Sequence, residues 1–88
     1  MTEIEDDRFK VLAHPLRRVL LSELKDAPKP LIHLVWRTGA SPSRISNHLK
    51  LMEEAHLVVA RKQGRRRVYA LNRKGLLDPL AYLKSLTE

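Results

Sequence analysis

The chain has 88 residues, a formal net charge of +7 and no cysteine. That length makes one small domain rather than two, and the missing cysteines exclude disulfide scaffolds, thiolate metal sites and cysteine nucleophiles. Its 43% hydrophobic and 31% charged residues make a globular rather than a disordered balance, and its longest uncharged stretch, Pro30 to Trp36, is too short to span a membrane.

In chain order, Ile4, Phe9, Leu12 and Ala13 predict a first helix over residues 3–13, stopped at His14-Pro15 because the residue before a proline avoids the α region. Pro15 suits the first turn of a second helix, with a stripe of Leu16, Val19, Leu20 and Leu24 and an end near Asp26. Leu31 to Arg37 reads as a two-turn helix entered from an extended segment and closed by Thr38-Gly39, the glycine serving as C-cap. Ser41-Pro42 opens the best-marked helix, running to Ala55, with Ile45, Leu49 and Met52 as its buried stripe. Ser43, Asn47 and Lys50 fall on the opposite face, with Arg44 and Ser46 on the flanks. Leu57–Val59 and Val68–Leu71, around Gln63-Gly64, predict a β-hairpin with its tip at Arg61–Arg67. Asp78-Pro79 reads as the cap of a last helix carrying Leu80, Leu83 and Leu86.

The charge is unevenly placed. Glu3, Glu5, Asp6 and Asp7 make the start acidic, unlike a signal or transit peptide. From Arg8 onward the balance is +11, and the segments Ala27–Met52 and Ala55–Leu77 contain no acid. Long acid-free stretches point to a polyanionic partner more than to a solubility surface, which would mix both signs. The expectation is a soluble, cytoplasmic, basic protein.

A short helix, a glycine turn, a capped helix with a polar outer face and a basic hairpin make the pattern of a winged helix-turn-helix. The predicted fold is mainly α, about five helices with a two-stranded wing. It forms one domain over 1–88, with the helix-turn-helix at 31–55 and the wing at 57–71.

Three segments carry a resemblance to a known family: His14-Pro15-Leu16-Arg17-Arg18; Ser41-x-x-x-x-Ser46-x-His48-Leu49-Lys50-x-Met52-Glu53-Glu54-Ala55-x-Leu57-Val58; and Gly64-Arg65-Arg66-Arg67-Val68-Tyr69-x-Leu71. They resemble the ArsR-type (arsenic-repressor-like) winged-helix transcriptional regulators over roughly residues 8–86. The resemblance implies a homodimeric repressor of double-stranded DNA, paired through its first and last helices, here 8–13 and 76–88. It does not carry over the family's metal sensing. The positions of a cysteine pair found in many members are Pro30 and Ile32, and the last helix has Asp78 and Glu88 but no histidine. Trp36 stands where the family usually has a small polar or charged residue, and Thr38 replaces a usual leucine, which predicts a less well anchored third helix.

A helix of ~10–12 Å width fits the major groove. Arg44 suits guanine O6 and N7, Asn47 suits adenine, Ser43 and Ser46 suit phosphate or base, and Lys50 suits phosphate. Ser41 and His48 complete the candidate set on this helix, His48 either half-buried against a neighbour or on a phosphate. Alternate hairpin residues face opposite ways, so the wing contacts are assigned to Lys62, Arg65 and Arg66, with Arg67 expected to pack beside Tyr69. Phe9, Leu12, Leu80, Tyr82, Leu83 and Leu86 form the expected dimer surface, since two terminal helices of so short a chain can hardly both be covered internally. Trp36 reads as core or, in the alternative, as a partner contact. His14, His33 and His56 lack metal-ligand spacing, and no metal or cofactor is expected. No nucleophile–base pair, paired carboxylates or phosphate-cradling glycine loop supports an enzyme. The competing reading is a nucleic-acid-binding module without sequence preference, architectural or protein-docking. Operator, regulated genes and effector are not written in the sequence.

Overall fold

The computed structural model describes residues 8–88; the acidic start and Ile4 lie outside them. The order is α1 (Arg8–Leu12), α2 (Pro15–Glu23), β1 (Lys29–Pro30), α3 (Leu31–Thr38), α4 (Pro42–Glu54), β2 (Val58–Gln63), β3 (Arg66–Leu71) and α5 (Arg73–Ser85). This is a winged helix-turn-helix, with five helices and a three-stranded antiparallel sheet in the order β1-β3-β2 among the described residues.

The break between α1 and α2 falls at His14-Pro15. His14 is extended, as a residue before proline must be, and its Nδ1 accepts the Leu16 N–H at 3.2 Å as the N-cap of α2. Leu20 and Leu24 are buried, but Val19 is 47% exposed, so the inward stripe of α2 is narrower than its apolar residues suggest. The helix also stops at Glu23, short of Asp26.

α3 buries Leu34 and ends at Gly39, whose φ of 74° is the left-handed cap that glycine adopts without a Cβ clash. Thr38 corrects the expectation of a poorly anchored helix. Its hydroxyl donates to the Leu34 carbonyl at 2.8 Å and accepts the Ala40 N–H at 3.2 Å, tying the helix end into the turn. Trp36 is not core: it is 76% exposed, because the inward position of this two-turn helix is occupied by Leu34.

Ser41 caps α4 by accepting the Arg44 N–H at 3.2 Å, and Ile45, Leu49 and Met52 are fully buried. With Val11, Leu20, Leu24, Leu34, Leu57, Val58 and Tyr69 they form one core, so α4 is fixed along its whole inner face.

The hairpin is longer than its apolar residues indicate. Val58 pairs with Leu71, and the ladder continues through Lys62–Arg67 to Gln63–Arg66. The turn is therefore only Gly64-Arg65, with φ of +60° at Gly64, as the first position of a tight two-residue hairpin turn requires. β1 is the extended segment before α3, paired through Lys29–Tyr69 and Pro30–Val68. Its proline is tolerated because β1 lies at the sheet edge.

α5 departs most from the sequence reading. It starts at Arg73, not at Asp78-Pro79, and its N-cap is Asn72, whose Oδ1 accepts the Gly75 N–H at 3.3 Å. Pro79 lies inside the helix and cannot donate to the Gly75 carbonyl four residues back. Arg8 supplies that bond instead: its Nη1 donates to Gly75 O at 2.9 Å, while its Nη2 pairs with Asp78 at 3.1 Å. Gly75 also lies hard against the His56 backbone, where a Cβ would collide with the His56 carbonyl.

Candidate nucleic-acid interface

The buried stripe of α4 determines what its other side presents. With Ile45, Leu49 and Met52 inward, Ser43, Arg44, Ser46, Asn47 and Lys50 are exposed on the outer face. Ser41 is exposed too, but its hydroxyl oxygen is occupied as the helix cap, with Ser43 Oγ at 3.5 Å. No hydrogen bond or ion pair engages the side chains of Arg44, Asn47 or Lys50 among the described residues. They form a row of exposed donors without a protein partner, on a helix whose inner face is fully buried.

His48 is different. It is half-buried, its ring lies 4.6 Å from that of His14, and its Nδ1 accepts a hydrogen bond from Arg17 Nε at 3.1 Å. Accepting at Nδ1 puts the neutral ring's proton on Nε2. Burial, then the positive charges of His14, Arg17 and Arg44, hold its pKa below the ordinary histidine value. This pair brings Arg17, a cation from α2 absent from the sequence-derived set, to the edge of the α4 face.

Several other cations are spent inside the fold. Arg37 grips both oxygens of Glu23, at 3.2 and 3.3 Å, and His33 lies 3.3 Å from the same carboxylate. The Arg37 hydrogen bond is the main reason the Glu23 carboxyl is held below its usual range. Arg18 caps the Leu12 carbonyl and Arg73 the Lys25 carbonyl. Arg44 and Lys50 on α4, and Arg61, Lys62, Arg65 and Arg66 on the hairpin, are not spent in this way.

On the hairpin Lys62, Arg65 and Arg66 are all exposed. Pairing with Arg67 puts Lys62 on the Tyr69 face, and strand alternation puts Arg66 on the other. The three flank the end of the hairpin rather than share one face. Arg67 lies over the Tyr69 ring at 5.9 Å, as its position two residues before Tyr69 predicts. Arg65, Arg66 and Arg67 border a cleft whose other walls include Pro30 and Pro42, so the turn of the hairpin faces the start of α4 across it.

At the opposite terminus, Phe9, Leu80, Tyr82, Leu83 and Leu86 are exposed and Leu12 is half-buried. Leu77, on the same helix and not among the expected dimer residues, is exposed as well. Phe9 and Tyr82 meet edge to face at 5.4 Å. Among the described residues no group of three His, Cys, Asp or Glu side chains is placed to hold a metal ion, and no helix is long and apolar enough to cross a membrane.

No protein-family model matches the chain. Curated relatives do. The chain is 34% identical over 63 residues to the HTH-type transcriptional regulator NmtR of Mycobacterium tuberculosis, covering 72% of this chain and 52% of that protein. It is 35% identical over 71 residues to the HTH-type transcriptional regulator Rv2034 of the same organism, covering 81% and 66%. The chain thus spans about half to two thirds of the length of these relatives. Among solved structures, a possible transcriptional regulator for arsenical resistance superposes with a TM-score of 0.85 at 39% identity, over 91% of this chain and 83% of that one. An ArsR family transcriptional regulator gives 0.82 at 25% identity, over 90% and 87%.

Proposed function

Because the chain belongs to the ArsR-type family of winged helix-turn-helix transcriptional regulators, we propose that it is a sequence-specific regulator of double-stranded DNA, a homodimeric repressor acting on an inverted-repeat operator. α4 enters the major groove, with Arg44 and Asn47 on base edges and Ser43, Ser46 and Lys50 on bases or phosphates. The hairpin lays Lys62, Arg65 and Arg66 along the backbone or the minor groove. Ser41 and His48 serve this face from within, one as the helix cap and the other as the seat of Arg17. The protein acts in the cytoplasm by blocking polymerase access, not as an enzyme. The observation that carries the reading is the exposed, unpartnered row Arg44, Asn47 and Lys50 on a helix clamped by a fully buried inner face.

The test is selection of bound duplex from a random pool, followed by gel shifts on the selected and scrambled duplexes at several salt concentrations. A regulator prefers the selected duplex, and its affinity falls steeply with salt. Asn47→Ala should erase preference at one base position, at a cost of about 1–3 kcal/mol on the selected duplex. Arg65→Ala should weaken all duplexes alike and reduce the salt slope by about 1. Equal affinity for both duplexes would establish the other reading, a nucleic-acid-binding module without sequence preference. The exposure of Trp36 favours that reading to the extent that an exposed tryptophan suits a protein partner.

A further inference from the structure

The cleft between α3 and the hairpin has a volume of about 370 Å³, within the range of roughly 300–1,000 Å³ typical of small-molecule sites. Its two sides differ in chemistry. Leu31, Ile32 and Val35 give an apolar wall, while Arg65, Arg66 and Arg67 border the other side, and no acid lines it. Arg65 and Arg66 have no hydrogen bond or ion pair among the described residues, and Arg67 has only the Tyr69 ring. Glu23, the acid bonded to α3, is already held by Arg37 and His33. Ile32 is 62% exposed, an apolar surface left open beside unneutralised charge.

We propose that this cleft binds a small amphipathic carboxylate, an organic acid with a medium-length apolar body and one anionic head. The body lies on Leu31, Ile32 and Val35, and the carboxylate accepts paired N–H bonds from the arginine side, a geometry guanidinium groups match well. A neutral apolar ligand leaves the arginines unpaired, and a bare inorganic anion leaves the apolar wall in water. Arg65 and Arg66 also belong to the proposed DNA contact, so acid and DNA compete for the same guanidinium groups. That consequence rests on the proposed function; the binding site does not.

Decanoate, kept below its micelle-forming concentration, is titrated calorimetrically into the full chain beside decanol and butyrate. The expected result is saturable binding of one decanoate per chain, with decanol and butyrate each at least about tenfold weaker. Ile32→Gln should weaken decanoate about tenfold with an unchanged melting temperature. Decanol equal to decanoate would reduce the cleft to an apolar patch, and butyrate equal to decanoate would reduce it to a basic one; either overturns the proposal, as does an Ile32→Gln variant that binds as before. A labelled selected duplex separates this from the DNA reading. Decanoate that binds as expected without displacing DNA refutes the hairpin contact and leaves the site standing, whereas no decanoate binding refutes the site and leaves the DNA reading intact.

Discussion

At positions 14 and 48 two imidazoles 4.6 Å apart both act as hydrogen-bond acceptors through Nδ1, His14 from the Leu16 N–H and His48 from Arg17 Nε. Each bond needs a lone pair that protonation removes. His48 is held neutral first by burial and then by the electrostatic effect of its neighbours His14, Arg17 and Arg44. Its folded-state pKa therefore lies below the unfolded value of about 6.5, so the unfolded chain takes up the proton first. Stability is complete above that value and falls as pH drops through it toward the lowered folded value. Thermal melts between pH 7.5 and 5.5 should show a falling melting temperature that flattens in His48→Gln. An identical slope in the variant would assign the effect to other groups. The same residue shows why a polar side chain on a recognition helix is not automatically a ligand contact: His48 orients an arginine rather than reaching outward.

α5 shows how an element can be legible in kind and misplaced in extent. A proline after an aspartate is a good helix start by local rules, but here the start lies at Asn72, and the bond that Pro79 cannot make is replaced by Arg8. That replacement comes from a residue 67 positions away, which local sequence cannot reveal. Asn72→Ala should destabilise the protein by about 0.5–2 kcal/mol in denaturant melts, as loss of a helix cap does. Asp78→Ala, touching only an exposed ion pair with Arg8, should cost much less. The reverse order would return the cap to Asp78. The same division between local and distant causes holds elsewhere. The cap and stripe of α4, and hence its outer face with Arg44 and Asn47, follow from neighbours three and four apart. The outer half of the hairpin, from Arg61 to Gln63 and back through Arg66 and Arg67, has no apolar alternation to mark it and exists through cross-strand pairing. β1 is two residues long and is a strand only because Tyr69 and Val68 pair with it. That Arg37 is spent on Glu23 and Arg73 on the Lys25 carbonyl likewise depends on contacts between separate elements.

For the whole molecule, the unresolved demand is apolar. The chain extends 43 Å along its longest axis against 24 and 22 Å across, and Leu77, Leu80, Leu83 and Leu86 on α5 and its end are all more than half exposed. They recur every three residues and lie beside the exposed Phe9–Tyr82 pair, which together make a surface apolar enough to suit an interface. The proposed two-fold dimer uses the same surface on both chains, so one substitution changes the contact twice. Leu83→Glu then sets two carboxylates into one apolar interface, where neither finds a partner. Light scattering after gel filtration should give twice the 10.2 kDa chain mass for the parent protein and a single chain mass for the variant. The consequence on DNA is specific, because two linked α4 helices reach half-sites about 34–36 Å apart. The variant keeps its α4 face, so its affinity for a half-site should be unchanged, while its affinity for the full inverted repeat should fall to the half-site level. A variant that stays dimeric would remove the terminal helices from the pairing surface, and a monomer that binds the full repeat as tightly as the parent would overturn recognition by two linked α4 helices.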